Sequence, residues 1–259
     1  MISKRLHFTG SLGFKLSALL DLPDRGDPLV YAIFAHCFTC NKNYKILNHV
    51  NQALTDHNIG VLRFDFTGLG ASQGSFADTN FSSNVGDILA AAEFLDLNYH
   101  SPQLLIGHSF GGAAVIHTAP KIYSCAAVVT IATPADVSSI RAILLSKRIE
   151  LERNGFATFS ISGREFLIGR QFLDDLEQID FAQSVRNLNK PILICHSPQD
   201  ELVDIQEAYR LLNLANHPKS LLSLDRADHL VSNEKDGKYL GSVIAAWAQK
   251  YIHLPSSSN

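Results

Sequence analysis

Ser109 is the residue whose surroundings most directly suggest chemistry. It stands in Gly107-His108-Ser109-Phe110-Gly111, a G-x-S-x-G arrangement that follows the apolar run Leu104-Leu105-Ile106 and runs into Gly112-Ala113-Ala114-Val115-Ile116. A buried strand that turns sharply into a helix presents such a serine at its tip, provided the flanking residues are small. Gly107 and Gly111 supply that, and Gly112 lets the helix start close to the strand. The helix N-terminus then lies under the hydroxyl, where it favours developing negative charge. The rival reading is a glycine-rich strand-to-helix turn with no chemistry. The apolar run before the motif and the helix-forming run after it favour a nucleophile.

A serine hydroxyl attacks only when a base removes its proton, and the base needs an acid to orient it. For a serine at this kind of turn the chain order is serine, then Asp or Glu, then His, each on a loop after a sheet strand. Asp200 fits, closing His196-Ser197-Pro198-Gln199-Asp200 after the apolar run 191–195. His229 fits as well, closing Asp225-Arg226-Ala227-Asp228-His229 after the run 220–224. Loops leaving the C-terminal ends of parallel strands share one sheet edge, so the three converge. The competing acids are Glu201, Asp204, Asp225 and Asp228, with Glu201 the nearest rival. Of the other histidines, His7, His49, His57, His100, His117, His217 and His253 lie away from strand ends. His196 precedes the acid, and His108 is at most a contact residue. A tetrahedral intermediate needs two main-chain N–H donors. Phe110 is placed for one, and Phe38, in the loop His36-Cys37-Phe38 after the apolar run 29–35, for the other.

The elements that must hold these residues read as an alternation. Residues 5–9 and 14–21 form an opening hairpin around Gly10-Ser11-Leu12-Gly13. Strands follow at 29–35, 60–66, 104–106, 125–132, 191–195 and 220–224. Helical patterns lie at 44–58, 84–97, after Ser109, at 205–214 and at 237–252. This predicts an α/β protein with a doubly wound, mostly parallel sheet. Between 135 and 188 the alternation stops: helical patterns at 137–153 and 164–178 flank a β-like piece at 156–161. That stretch reads as a cap or lid inserted into a single domain spanning 1–259, in preference to helices packed on a sheet face. The tail 255–259 is polar and expected to fray.

Bulk properties narrow the class. Among 259 residues, 46% are hydrophobic and 18% charged, with a formal net charge of -3. That is a globular composition without a basic footprint for nucleic acid. No apolar run is long enough to span a bilayer, and the N-terminus has no signal-peptide pattern. The four cysteines are too few and scattered for a disulfide framework, so a cytoplasmic protein is expected.

With serine, acid, base and oxyanion loop in this order, the chain resembles the α/β-hydrolase superfamily over nearly its whole length. It is most similar to the serine-aminopeptidase-like and monoglyceride-lipase-like branch, whose members often carry an Asp-x-x-Gly-x-Gly-x-Ser turn. Here that turn is Asp65-Phe66-Thr67-Gly68-Leu69-Gly70-Ala71-Ser72. Phe34-Ala35-His36-Cys37-Phe38-Thr39-Cys40 resembles a bacterial subgroup sometimes fused to, or encoded beside, OsmC-like peroxide-reducing domains. The resemblance implies an α/β-hydrolase fold with a functional link to such a protein. Where the family has His-Gly in the oxyanion loop this chain has His36-Cys37, a cysteine where glycine would allow wider backbone angles.

The expected activity is therefore a cofactor-free serine hydrolase acting on an ester, thioester or amide of a small acyl substrate. An esterase is preferred to a peptidase, since no acidic cluster is set aside for a substrate amino terminus. Two alternatives stay open. One is a thiol-redox or peroxide-handling protein using Cys37-x-x-Cys40, against which small side chains facing a pocket are the simpler reading. The other is a non-catalytic ligand-binding member of the fold. No metal site is expected, since zinc would need a second pair of ligands beside Cys37 and Cys40.

Overall fold

The computed structural model describes residues 1–161 and 163–252. The chain opens on the expected hairpin, with β1 (Ile2–Thr9) antiparallel to β2 (Lys15–Leu22) and Phe8 opposite Leu16. β3 (Val30–Ala35) and β4 (Ile59–Phe64) are buried at every position, as strands covered by helices on both faces must be. Between them, α1 (Lys45–Asp56) buries Ile46, Leu47, Val50 and Leu54 at helical spacing. α2 (Phe81–Asn98) starts three residues before the apolar pattern suggests, because Asn80 and Ser83 close a capping box. β5 (Pro102–His108) and α3 (Phe110–Thr118) are separated by Ser109 alone, and β6 (Ala127–Ile131) follows.

Among the described residues, the segment from 135 to 188 adds no strand to the main sheet. It holds α4 (Ser138–Leu145), α5 (Arg148–Asn154), the hairpin of β7 (Phe156–Ile161) and β8 (Arg164–Gly169), then α6 (Arg170–Glu177) and α7 (Phe181–Arg186). Two expectations are corrected here. The helix expected over 137–153 is two, interrupted at Ser146 and Lys147. Only the second part of the helix expected over 164–178 is helical. Residues 164–169 pair with β7 instead, turning Phe166 and Ile168 inward on alternate positions.

The alternation resumes with β9 (Ile192–His196), α8 (Ile205–Leu214), β10 (Lys219–Ser223) and α9 (Glu234–Ala248). The main sheet runs β1-β2-β4-β3-β5-β6-β9-β10, antiparallel at β1-β2 and β2-β4 and parallel from β4 onward. Successive residues of β5 serve opposite cores: Leu105 packs with Phe81, Ile88 and Val115, whereas Leu104 and Ile106 pack with Phe34, Leu54 and Ile244. This is the doubly wound α/β architecture expected, and it delivers the ends of β3, β5, β9 and β10 to one edge. No helix among the described residues is long and apolar enough to cross a membrane. The tail 255–259 lies outside the described residues.

Candidate active site

Ser109 occupies the turn between β5 and α3 with φ 54° and ψ -120°, a left-handed conformation that costs a non-glycine residue roughly 1–3 kcal/mol. The surroundings hold it there. Its N–H donates to the Ile131 carbonyl at 2.8 Å, and its own carbonyl accepts from Gly112 at 2.9 Å. A Cβ on Gly107 would collide with the Gly111 carbonyl, and one on Gly111 with the Ala35 and His36 carbonyls. Both glycines are therefore demanded by close backbone approach. The serine side of the turn is partly open to solvent.

Asp200 and His229 are brought together. His229 Nδ1 lies 2.8 Å from Asp200 Oδ2, across 29 residues of chain. The other oxygen, Asp200 Oδ1, accepts from the backbone N–H groups of Leu202 and Val203, each at 2.9 Å. Burial pushes the Asp200 carboxyl up, but the bonds from His229, Val203 and Leu202 outweigh it and leave the group below the ordinary carboxylate value. Because Asp200 accepts at Nδ1, that nitrogen carries the proton and Nε2 is left as the basic end of the ring. None of the rival acids is paired with His229. Glu201 is exposed, Asp225 accepts from Ser223, and Asp204 caps α8 through Gln206 N. Asp228 Oδ1 accepts from Ser232 N.

Two histidines outside the expected set fix this arrangement. His108, immediately before the serine, is buried, and its Nε2–H donates to the His229 carbonyl at 2.8 Å. Their rings sit 5.1 Å apart. Burial, and then the neighbouring His229, pushes His108 down to about 3, so it stays neutral. His196 is fully buried under the acid, its Nε2–H donating to the Val203 carbonyl at 2.8 Å and lying 3.6 Å from Asp200 Oδ2. Their positions beside the serine and before the acid carry the only trace of these roles in the sequence.

The loop after β3 is held at both ends. His36 Nδ1–H donates to the Cys37 carbonyl at 2.8 Å, leaving Nε2 to accept from Phe66 N at 3.5 Å. Burial lowers His36 to about 4, which keeps it in that neutral form. At the far end Lys42 forms a buried ion pair with Asp65 and donates its N–H to Asp65 Oδ1 at 2.6 Å. Arg63 donates to the Lys42 carbonyl at 2.6 Å and pairs with buried Asp21 at 2.7 Å. Asp65 and Ser72 of the glycine turn thus brace the surrounding backbone. Asp65 Oδ2 also accepts from Ala71 N at 2.9 Å, and Ser72 Oγ from Ser17 N at 2.9 Å. Cys37 needs no glycine-like angle. The left-handed residue is Thr39, at φ 60°, and the Cys37 and Cys40 sulfurs are bonded to each other.

Phe38 and Phe110 meet edge to face, ring centroids 5.2 Å apart. Phe172 of α6 packs on Phe38 at 5.5 Å and Phe76 on Phe38 at 5.6 Å, with Phe166 of β8 against Phe76. The far side of His229 is open: a cavity of about 440 Å³ is lined by Gln199, Leu202, Arg226, His229 and Leu230. A second, of about 570 Å³, lies between Leu230 and the Asn41–Tyr44 stretch. Among the described residues no group of three or more His, Cys, Asp or Glu could hold a metal ion.

Residues 32–253 match the model of the Alpha/beta hydrolase family. The chain is 28% identical over 182 residues to mouse (Mus musculus) palmitoyl-protein thioesterase ABHD10, mitochondrial, an alignment covering 68% of this chain and 60% of that protein. It thus spans about three fifths of the length of that relative. The crystal structure of the esterase domain from a Rhodothermus marinus protein superposes with a TM-score of 0.80 at 43% identity, covering 98% of this chain and 100% of that one. Est1E from Butyrivibrio proteoclasticus, solved with ferulic acid bound, shares the fold at a TM-score of 0.79 and 20% identity, over 95% of this chain and 98% of that one.

Proposed function

The chain belongs to the alpha/beta hydrolase family, and from that premise we propose a serine hydrolase that cleaves an ester, thioester or amide of a small acyl substrate. Ser109 Oγ attacks the carbonyl carbon while His229 Nε2 takes its proton, and Asp200 holds the imidazole in the required tautomer and stabilises its charged form. The N–H groups of Phe38 and Phe110 receive the oxyanion. His229 returns the proton to the leaving group, and then activates the water that releases the acid from Ser109. The observation that supports this reading is the 2.8 Å contact of His229 with Asp200, on a histidine whose carbonyl accepts from His108, the residue before Ser109.

Substrate size follows from where space remains. The leaving group must lie near His229, which protonates it, and the cavities bounded by Leu230 are on that side. The acyl group points away from His229, toward the oxyanion residues, where Phe38, Phe110 and Phe172 fill the volume. A short acyl group on a larger leaving group suits that division. In this reading segment 135–188 is the cap, since Phe172 and Phe166 close the wall and Arg164 Nη1 donates to the Thr39 carbonyl at 3.4 Å. The esterase and thioesterase names of the relatives support the carbonyl chemistry. Cytoplasmic placement and an OsmC-like companion belong to the same reading and rest on the sequence alone.

Steady-state hydrolysis of 4-nitrophenyl esters tests it. Ser109→Ala and His229→Ala each lower kcat by about 10⁴-fold or more, and Asp200→Asn by somewhat less. Hydrolysis by Ser109→Ala at the wild-type rate removes the reading.

A further inference from the structure

The bond between Cys37 and Cys40 closes a ring around Phe38 and Thr39, so the proposed oxyanion donor sits inside a covalent loop of four residues. Their Cα atoms are 5.3 Å apart, and Cys40 N donates to the Cys37 carbonyl at 3.1 Å, the carbonyl that also accepts from His36. Within that ring Thr39, a β-branched residue, is kept in the left-handed region that such residues avoid. Outside it, His36 is fixed by its own ring and Lys42 by Asp65 and Arg63. Within the covalent loop the Phe38 ring packs against Phe76, Phe110 and Phe172, and the Thr39 carbonyl accepts from Arg164 Nη1, so the bridge adds a covalent constraint to a backbone held otherwise by non-covalent contacts. Opening the bridge removes the covalent constraint on the backbone of Phe38 and Thr39.

We propose that Cys37–Cys40 is a reversible thiol–disulfide site that sets the aim of the Phe38 N–H, so that hydrolysis is faster with the bridge closed than with it open. This rests on the hydrolase reading above. The partner is a dithiol: one thiolate attacks a bridge sulfur, the Cys37–Cys40 bond breaks, and the departing cysteine thiolate takes up a proton. The second thiol of the reagent then displaces the other cysteine, so two electrons pass to the protein and the reagent leaves as a cyclic disulfide. Oxidised dithiol returns the bridge by the reverse steps. Access is narrow but present, since Cys37 and Cys40 are 7% and 6% exposed. Once open, the loop lets Thr39 relax to ordinary angles, and the Phe38 N–H swings off the oxyanion.

An oxyanion donor acts in the transition state, so the change belongs in kcat with little in KM. The experiment compares wild-type protein before and after dithiothreitol, counting thiols by mass after alkylation of the denatured chain. Cys125 and Cys195 are free, so closed protein takes two adducts and open protein four. The expected result is a fall in kcat of about ten- to a hundredfold on opening, with KM within about twofold, reversed by oxidised dithiothreitol. Cys37→Ser/Cys40→Ser has the open-state kcat and ignores the reagent. Equal kcat in the two- and four-adduct forms overturns the proposal, as does protein that keeps four thiols after the oxidant. A fluorophosphonate control separates the two readings: wild type that labels at Ser109 yet ignores dithiothreitol refutes only the redox site. Closed wild type that does not label refutes both.

Discussion

The His108 side chain holds the His229 main chain: Nε2–H to carbonyl oxygen at 2.8 Å, the rings 5.1 Å apart. The residue that precedes the proposed nucleophile thereby ties down the backbone of the proposed base. His108→Phe keeps an aromatic ring, somewhat larger, and leaves the His229 carbonyl without its donor, a loss of about 1–3 kcal/mol. Expressed as misplacement of His229, this lowers kcat by about ten- to a hundredfold with KM nearly unchanged. Steady-state ester kinetics check it, and a kcat within about twofold of wild type would show that the contact has no positioning role.

Acid should weaken the fold well above the range where carboxylates titrate. His36 and His108 are held at about 4 and about 3, against an ordinary 6.5. Between 6.5 and those values the unfolded chain binds protons that the folded chain refuses. Their stabilisation is complete above about 6.5 and declines as pH falls, by about 1.4 kcal/mol per pH unit for each histidine across its window. Asp200, held below its ordinary value, loses its contribution only at lower pH, as the folded carboxyl protonates. Urea midpoints measured from about pH 7 to about pH 4.5 should fall in wild type and fall less steeply in His108→Phe. Parallel slopes would contradict the assignment.

Acyl length should be set by the phenylalanines that meet over the proposed oxyanion loop. Phe172 is fully buried against Phe38 and Phe110. Wild type should favour acetyl and butyryl esters over octanoyl and longer ones. Phe172→Ala should raise the octanoyl-to-butyryl ratio of kcat/KM by about tenfold, the scale of a methylene or two accommodated in an apolar site. It should also destabilise the fold by about 3–5 kcal/mol, so Phe172→Leu supplies a milder second variant. A wild-type enzyme that prefers long chains would place the acyl group elsewhere.

The parts legible in sequence are those where a local pattern and the global fold demand the same residues. The apolar runs of β3, β5 and β9 and the glycines around Ser109 are of this kind, because burial on both faces and a tight turn leave few choices. α8 is bounded correctly at Ile205 and Leu214 because Asp204 caps it and its apolar period is clean. β8 mimics a helix in sequence because Phe166, Phe172, Leu173 and Leu176 happen to fit a helical stripe. Only pairing with β7, across a turn containing Gly163 at φ 75°, makes 164–169 a strand. The ion pairs among Asp21, Lys42, Arg63 and Asp65 are illegible for another reason. Charged residues scattered over several strands and loops look solvent-facing until the tertiary fold buries them together. The same holds for His108, whose partner lies 121 residues away.

The most direct test of a nucleophilic Ser109 is intact-protein mass spectrometry after treatment with a fluorophosphonate, followed by peptide mapping. The account predicts a single adduct, mapped to Ser109, formed quickly by wild type, slowly by His229→Ala and absent from Ser109→Ala. Folded wild type that takes up no adduct, or takes it up at another residue, would contradict the account at its centre.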